Sequence, residues 1–290
     1  MDVTIIGHGS LMSGRGLSFS GTLQVRHASI VALAACRRGF AKLSRYGDRF
    51  ATDLAVTQLP LEGCLMPPTS LPNGEVETLA LTVPLDDFYR LSKREGYDPT
   101  ATQRLHNLAQ AQGINLADFL WQVHAEAGHD IVTYRRRLFA LTEFTSPHYI
   151  PHPVRLAGAG YALIFLAPGA EGTGSDDIIS VRQQTGIHVP MSTREAWQRK
   201  PNEDQIAYFL SCFLGGVHGV CLRDLLATVD EEPALAAELM NRIRQALDEE
   251  QERFLATTGL SLERYRHCFG EPEAALARSG LGAFLGQGRK

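Results

Sequence analysis

The 290-residue sequence predicts a mixed α/β or α+β fold rather than a regularly alternating parallel sheet. Three observations predict it. Strand and turn signals dominate the first hundred residues, a helical stretch follows at about 101–150, and after one further strong strand the remainder is mainly helical.

Taken in order, Val3-Thr4-Ile5-Ile6 is a short β-rich run stopped by a glycine cluster, the pattern of a buried strand entering a loop. Residues 23–35 alternate weakly and contain a second strand, with the Ala-rich stretch 32–35 open between strand and helix. Leu54–Thr57 and Gly63–Met66 flank a Pro-containing turn and predict a hairpin, and Glu77–Val83 reads as another strand. Pro84-Leu85-Asp86-Asp87 opens a helix, because Pro fits an early position and acids in the first turn complement the helix dipole. Leu85, Phe88, Leu91 and Ser92 form its inward face. Amphipathic helices are expected at about 102–112 and 116–127, divided by Gln112-Gly113, whereas Thr133–Phe144 reads as extended. Pro147, Pro151 and Pro153 predict a bend at 147–153. Gly160–Leu166 is the strongest strand signal, and 169–175 reads as loop. Apolar periodicity predicts helices within Gln205–Phe213 and Val220–Val229, a charged amphipathic helix at 233–255, and a loosely held Gly- and Ala-rich tail from 271.

Composition narrows the function classes. A hydrophobic share of 44% and a charged share of 21% suit a globular chain with a core. The net charge of −4 gives no electrostatic reason to expect nucleic acid or an acidic membrane as partner. Arg135-Arg136-Arg137, the sharpest basic spot, reads as a solvated face or an ion-pair partner, with a phosphate or carboxylate contact as the alternative. No apolar run approaches the ~18 residues of a membrane span. Val3–Ile6 is too short for a signal-peptide core and no basic residue precedes it, so the expected location is cytoplasmic. Cys36, Cys64, Cys212, Cys221 and Cys268 are scattered, odd in number and lack a C-x-x-C pair, which argues against a disulfide framework or a zinc site. His148 and His152 have helical ligand spacing, but the surrounding prolines oppose a helix; neither metal nor cofactor is expected.

Two features bear on chemistry. Gly7-His8-Gly9-Ser10-Leu11 follows directly on the first strand, and its glycines let the backbone turn and present successive N–H groups outward. Such a nest suits an anion or a developing oxyanion, although a tight turn without function has the same composition. It is not a dinucleotide fingerprint: Met12 stands where the third glycine belongs, and Gly14-Arg15-Gly16 comes too late. The second feature is Arg94-Glu95-Gly96-Tyr97-Asp98 at the end of the helix that begins near Pro84. A carboxylate there is disfavoured by the helix dipole. It either pairs with Lys93 or Arg94, or sits in an apolar pocket where it becomes a usable acid/base at neutral pH.

These residues resemble the γ-glutamylcyclotransferases, particularly their ChaC branch. Ile5-Ile6-Gly7-His8-Gly9-Ser10-Leu11 is similar to the G-Y-G-S-L signature, Cys36-Arg37-Arg38-Gly39-Phe40 to an R-R-x-F segment, and Leu91–Tyr97 to an L-x-x-R-E motif. Ile206–Leu226, with Gly215-Gly216-Val217-His218-Gly219, resembles a G-x-S-G…Y-L helix. The patches occur in the family's order over about 3–228. His8 in place of Tyr, His218 in place of Ser, the insert at about 101–150 and the residues beyond 230 depart from the pattern.

The resemblance implies a small mixed β-barrel flanked by helices over 1–230, with a helical insert, and a helical C-terminal extension over 231–290. It implies a γ-glutamyl substrate cleaved by its own α-amine, which closes on the γ-carbonyl to give 5-oxoproline and a free amine. Glu95 would relay the proton, and Gly7, His8, Gly9, Ser10, Leu11, Arg38 and Tyr97 would contact substrate. Glutathione is the substrate if the ChaC likeness is close; a biosynthetic γ-glutamyl intermediate is the alternative, with the insert walling the pocket. A non-catalytic binding module would need the loop but not Glu95. An amidohydrolase lacks a convincing nucleophile elbow or Cys/His pair.

Overall fold

The computed structural model describes residues 2–33, 37–46, 49–57, 64–66, 76–144, 149–157, 160–166, 189–190, 203–229 and 233–287. Its described strands are β1 (Asp2–Gly7), β2 (His27–Leu33), β3 (Arg37–Tyr46), β4 (Arg49–Thr57), β5 (Cys64–Met66), β6 (Val76–Pro84), β7 (Ile150–Leu156), β8 (Tyr161–Leu166) and β9 (Val189–Pro190). Six of them close into a barrel in the order β1-β6-β2-β5-β7-β8, and β4-β3-β9 form a separate small sheet. The barrel is mixed: β1 runs parallel to β8 and β5 parallel to β7, while the other neighbours are antiparallel.

Alternation along the strands sorts the apolar residues into two clusters. Ile5, Leu79, Leu81, Leu163 and Phe165 lie on the face that packs under helices, with Phe165 stacked on Phe88 at 6.0 Å. Their neighbours Ile6, Ala80, Ala162, Ile164 and Leu166 turn to the other face and join Leu33, Val76 and Val154. The register Ile5↔Leu81 and Ile6↔Ala80 keeps the two sets apart, and a one-residue slip would exchange them.

The described helices are α1 (Gly14–Leu17), α2 (Leu85–Arg94), α3 (Pro99–Ala111), α4 (Leu116–Glu126), α5 (Ile131–Thr142), α6 (Glu203–Phe213), α7 (Arg223–Val229), α8 (Pro233–Thr258), α9 (Leu262–Phe269), α10 (Pro272–Ser279) and α11 (Leu281–Gln287). The chain is therefore mixed α+β. The N-termini of α3, α4, α5 and α9 are held by the side chains of Asp98, Asn115, Asp130 and Ser261, each accepting from a backbone N–H in the first turn. α2 begins and packs as its sequence predicts, with Phe88 and Leu91 fully buried at about 1.5–3 kcal/mol each.

Four expectations are corrected. Residues 131–142 are helical, not extended: Asp130 accepts from Thr133 N–H at 2.7 Å, and Tyr134, Leu138 and Thr142, four apart, form a buried face. The β-branched Ile131-Val132-Thr133 imitates a strand but occupies a capped first turn. β4 and β5 are not a hairpin, since β4 pairs with β3 and β5 pairs with β2 and β7. Pro151 and Pro153 lie within β7 rather than in a bend. Residues two apart direct their N–H to the same edge, and among the described residues β5 pairs with β7 at Arg155 and Leu156, beyond both prolines. The expected loose tail instead forms α10 and α11, with Ala275, Ser279, Leu281, Phe284 and Leu285 buried. Its small residues permit close approach: Leu222 N–H bonds Ser279 O at 3.0 Å, and Leu281 N–H bonds Ser279 Oγ at 3.1 Å. The helices beyond 230 contribute Leu239, Ile243, Phe254, Tyr265 and Phe269 to the same core as β1 and α2. The predicted loop at 169–175 lies outside the described residues, as do Cys36 and His148.

Candidate functional site

β1 ends at Gly7, His8 and Gly9 follow, and Ser10–Met12 form a single 3-10 turn. The first bond of that turn runs from Met12 N–H to Gly9 O at 3.0 Å, so it does not use the N–H groups of Ser10 and Leu11. His8, Ser10 and Leu11 are all buried. α1 lies directly against the turn: a Cβ on Gly16 would fall 1.8 Å from Ser10 O. Gly14-Arg15-Gly16, set aside in the sequence as a failed fingerprint, is thus part of the packing that holds the loop.

The other half comes from the end of α2. Gly96, at φ +77°, donates to Lys93 O at 3.1 Å and Tyr97 N–H donates to Ser92 O at 2.9 Å, the paired bonds of a left-handed helix stop. This stop fixes Glu95 at the helix end, where its own N–H still reaches Leu91 O at 3.0 Å.

Arg94 joins the halves. Its Nη2 donates to Ser10 Oγ at 2.6 Å, and its Nε lies 3.8 Å from Glu95 Oε1. Both side chains are largely shielded, 16% and 15% exposed. The loop and the glutamate, 84 residues from Arg94 and adjacent to it respectively, therefore meet at one guanidinium. Arg94 Nη1 and Ser92 Oγ are buried without a hydrogen-bond partner among the described residues. Native interiors leave few such atoms, and two on one helical turn mark a place where a polar ligand or water belongs.

Arg38 does something other than expected. Its Nε and Nη2 grip the Asp224 carboxylate at 2.8 and 2.7 Å, Nη2 also donates to Cys221 O at 3.0 Å, and Nη1 donates to Glu77 O at 2.8 Å and Met12 Sδ at 3.2 Å. These contacts match the five N–H donors a guanidinium has. Arg38 is a clamp between β3, β6 and α7, with no donor left for a substrate carboxylate. It still bears on the loop through Met12. Tyr97 is also packed inward, edge-on to Phe144 at 5.3 Å. Burial pushes its hydroxyl up to about 12; the Thr142 side chain lies near without reaching hydrogen-bond geometry.

The histidines form two buried constellations that the sequence does not announce. His218 closes a chain behind α1: Nδ1 contacts Tyr265 Oη at 2.8 Å and Nε2 contacts Glu250 Oε1 at 3.1 Å. Glu250 in turn accepts from Gly14 N–H, and from Arg15 N–H at 3.3 Å. The carboxylate of Glu250 can only accept, so Nε2 is the donor in that contact. Phe254 and Phe269 enclose the ring. His218 is therefore a structural post, and the segment around it is a 3-10 turn at Leu214–His218 rather than a continuous helix. In the second constellation His124 on α4 meets His152 Nε2 with its Nε2 and His129 Nδ1 with its Nδ1, each at 3.1 Å. Burial, reinforced by neighbouring histidines, depresses His124 to about 4 and His152 to about 3, so both rings are neutral at physiological pH. No group of three or more His, Cys, Asp or Glu among the described residues is placed to hold a metal ion.

Fold and site together define a mixed α+β protein in which a barrel-strand loop and a helix-terminal glutamate converge on one arginine. Searches of family models, curated proteins and solved structures return no match to this chain. Among the described residues no helix is long and apolar enough to cross a membrane.

Proposed function

We propose that this chain is a γ-glutamylcyclotransferase. The observation that carries the reading is the convergence of Ser10, at the head of the loop turn, and Glu95 on Arg94, at 2.6 and 3.8 Å. The closed barrel with flanking helices supports it as well, being the architecture that the motif resemblance implies.

A γ-glutamyl amide carries its own nucleophile, so no Ser or Cys attack is required. Glu95, as carboxylate, takes a proton from the substrate α-ammonium. The freed amine adds to the γ-carbonyl carbon, and closure of a five-membered ring gains from the large effective molarity of a well-oriented intramolecular step. The N–H groups of Ser10 and Leu11 suit the oxyanion that forms. As the bond to the departing amine breaks, Glu95 returns its proton to that nitrogen; the second proton, shed by the attacking nitrogen as it becomes the lactam N–H, passes to the departing amine, which leaves as an ammonium alongside 5-oxoproline.

The test is to incubate the protein with glutathione and with a mixture of other γ-glutamyl amines and to measure 5-oxoproline by mass spectrometry. Product from glutathione identifies a degradative enzyme, and product only from other amines identifies a specialised one. Glu95→Gln is expected to lower turnover by about 10²–10⁴-fold with the fold retained. Turnover by that variant at the wild-type rate removes Glu95 from the mechanism, and no product from any γ-glutamyl compound refutes the reaction.

A further inference from the structure

We infer that Arg94 is the residue that holds the α-carboxylate of the γ-glutamyl substrate, a role that rests on the cyclotransferase reading. The guanidinium is anchored at two points, Nη2 on Ser10 Oγ and Nε beside Glu95, while Nη1 is buried with no hydrogen-bond partner among the described residues. Arginine stays charged in proteins, so this donor cannot be silenced by losing a proton, and a buried donor left without an acceptor is costly. Glu95 does not satisfy it: the nearest approach of the two side chains is Nε to Oε1 at 3.8 Å, and Nη1 makes no hydrogen bond among the described residues.

A planar carboxylate is the acceptor that fits. One of its oxygens takes Nη1–H, and the other is in reach of the second Nη2 hydrogen and of the Ser10 hydroxyl. That hydroxyl accepts from Arg94 and so has its own proton to donate. The same geometry accounts for Glu95. An α-amino acid head bears a carboxylate and an ammonium on one carbon, and Arg94 and Glu95 present a cation and an anion side by side. The pair selects a free zwitterionic head, turning the ammonium toward the base while the carboxylate is held. This assigns to Arg94 the task for which Arg38 has no free donor.

The experiment compares two anilides, γ-glutamyl-p-nitroanilide and 4-aminobutyryl-p-nitroanilide, which cyclise by the same amine attack to 5-oxoproline and 2-pyrrolidinone. They differ only in the α-carboxylate. Wild-type kcat/KM should favour the γ-glutamyl compound, and Arg94→Gln should shrink that preference by roughly 10–100-fold, the range of a charge-assisted hydrogen bond. Arg94→Lys, which keeps the charge but not the planar fork, should fall between. Equal loss on both anilides in Arg94→Gln and Arg94→Lys means that Arg94 acts through Glu95 or the loop, and overturns the proposal. An unchanged preference overturns it too. Absence of cyclised product from wild-type protein instead overturns the cyclotransferase reading. Titration calorimetry with L-glutamate then judges Arg94 separately: binding that Arg94→Gln abolishes supports the carboxylate role, and binding it leaves intact refutes that role.

Discussion

Removing the Glu250 carboxylate should destabilise the protein more than its position on a peripheral-looking C-terminal helix suggests. Glu250 accepts from the backbone N–H groups of Gly14 and Arg15 and from His218 Nε2. The His218 and Glu250 side chains are 0% and 1% exposed, so water cannot replace the acceptor in Glu250→Ala. Each stranded donor costs roughly 1–3 kcal/mol, and truncating one member of a buried pair about 3–5 kcal/mol in all. These penalties overlap, which places the loss near about 4 kcal/mol. At roughly 2–4 °C per kcal/mol for a chain of this size, melting should fall by about 8–16 °C. Glu250→Gln keeps one acceptor oxygen but turns an amide NH₂ toward an N–H, so its loss should be intermediate. Urea unfolding followed by circular dichroism at pH 7 measures both variants. A shift below about 1 kcal/mol in Glu250→Ala, with unchanged m, would show that the Glu250–His218–Tyr265 chain does not anchor α1.

Three further outcomes follow from the geometry. His124 falls from 6.5 in an unperturbed ring to about 4. The unfolded chain therefore binds more protons, and stability is complete above pH 6.5 and lost as pH drops toward 4, by about 3 kcal/mol for this ring. His124→Asn should reduce the difference between urea midpoints at pH 7 and pH 4.5, His152 retaining its own share, and an unaltered difference would remove His124 as a source. Asp224→Ala strands the buried Arg38 guanidinium and should cost about 3 kcal/mol, whereas Arg38→Met with Asp224→Leu should recover much of it; additive losses in that double variant would contradict a coupled clamp. Gly16→Ala would place a methyl 1.8 Å from Ser10 O, so 5-oxoproline formation should drop together with melting temperature, and wild-type behaviour would show that α1 can give way.

The sequence by itself determined those parts whose causes lie within a few residues. β1 and its glycine stop, β6, β8, the Pro-and-acid start of α2 and the placing of Glu95 at its end are local matters of period, cap and backbone freedom. Helix α5 is not legible in the sequence because β-branched residues in a capped first turn look like a strand, nor are α10–α11, because small residues that allow tight packing also look like a loose tail. Only tertiary structure decided who meets whom. Ser10 joins Arg94 across 84 residues, Arg38 joins Asp224 across 186, and Gly14 joins Glu250 across 236. A side chain's charge and donors can be read from its identity, but whether they are consumed by the protein or left for a ligand depends on those distant partners. Arg38 and Arg94 look alike in the sequence. Asp224, Cys221, Glu77 and Met12 together take the donors of the first, whereas Nη1 of the second has no hydrogen-bond partner among the described residues.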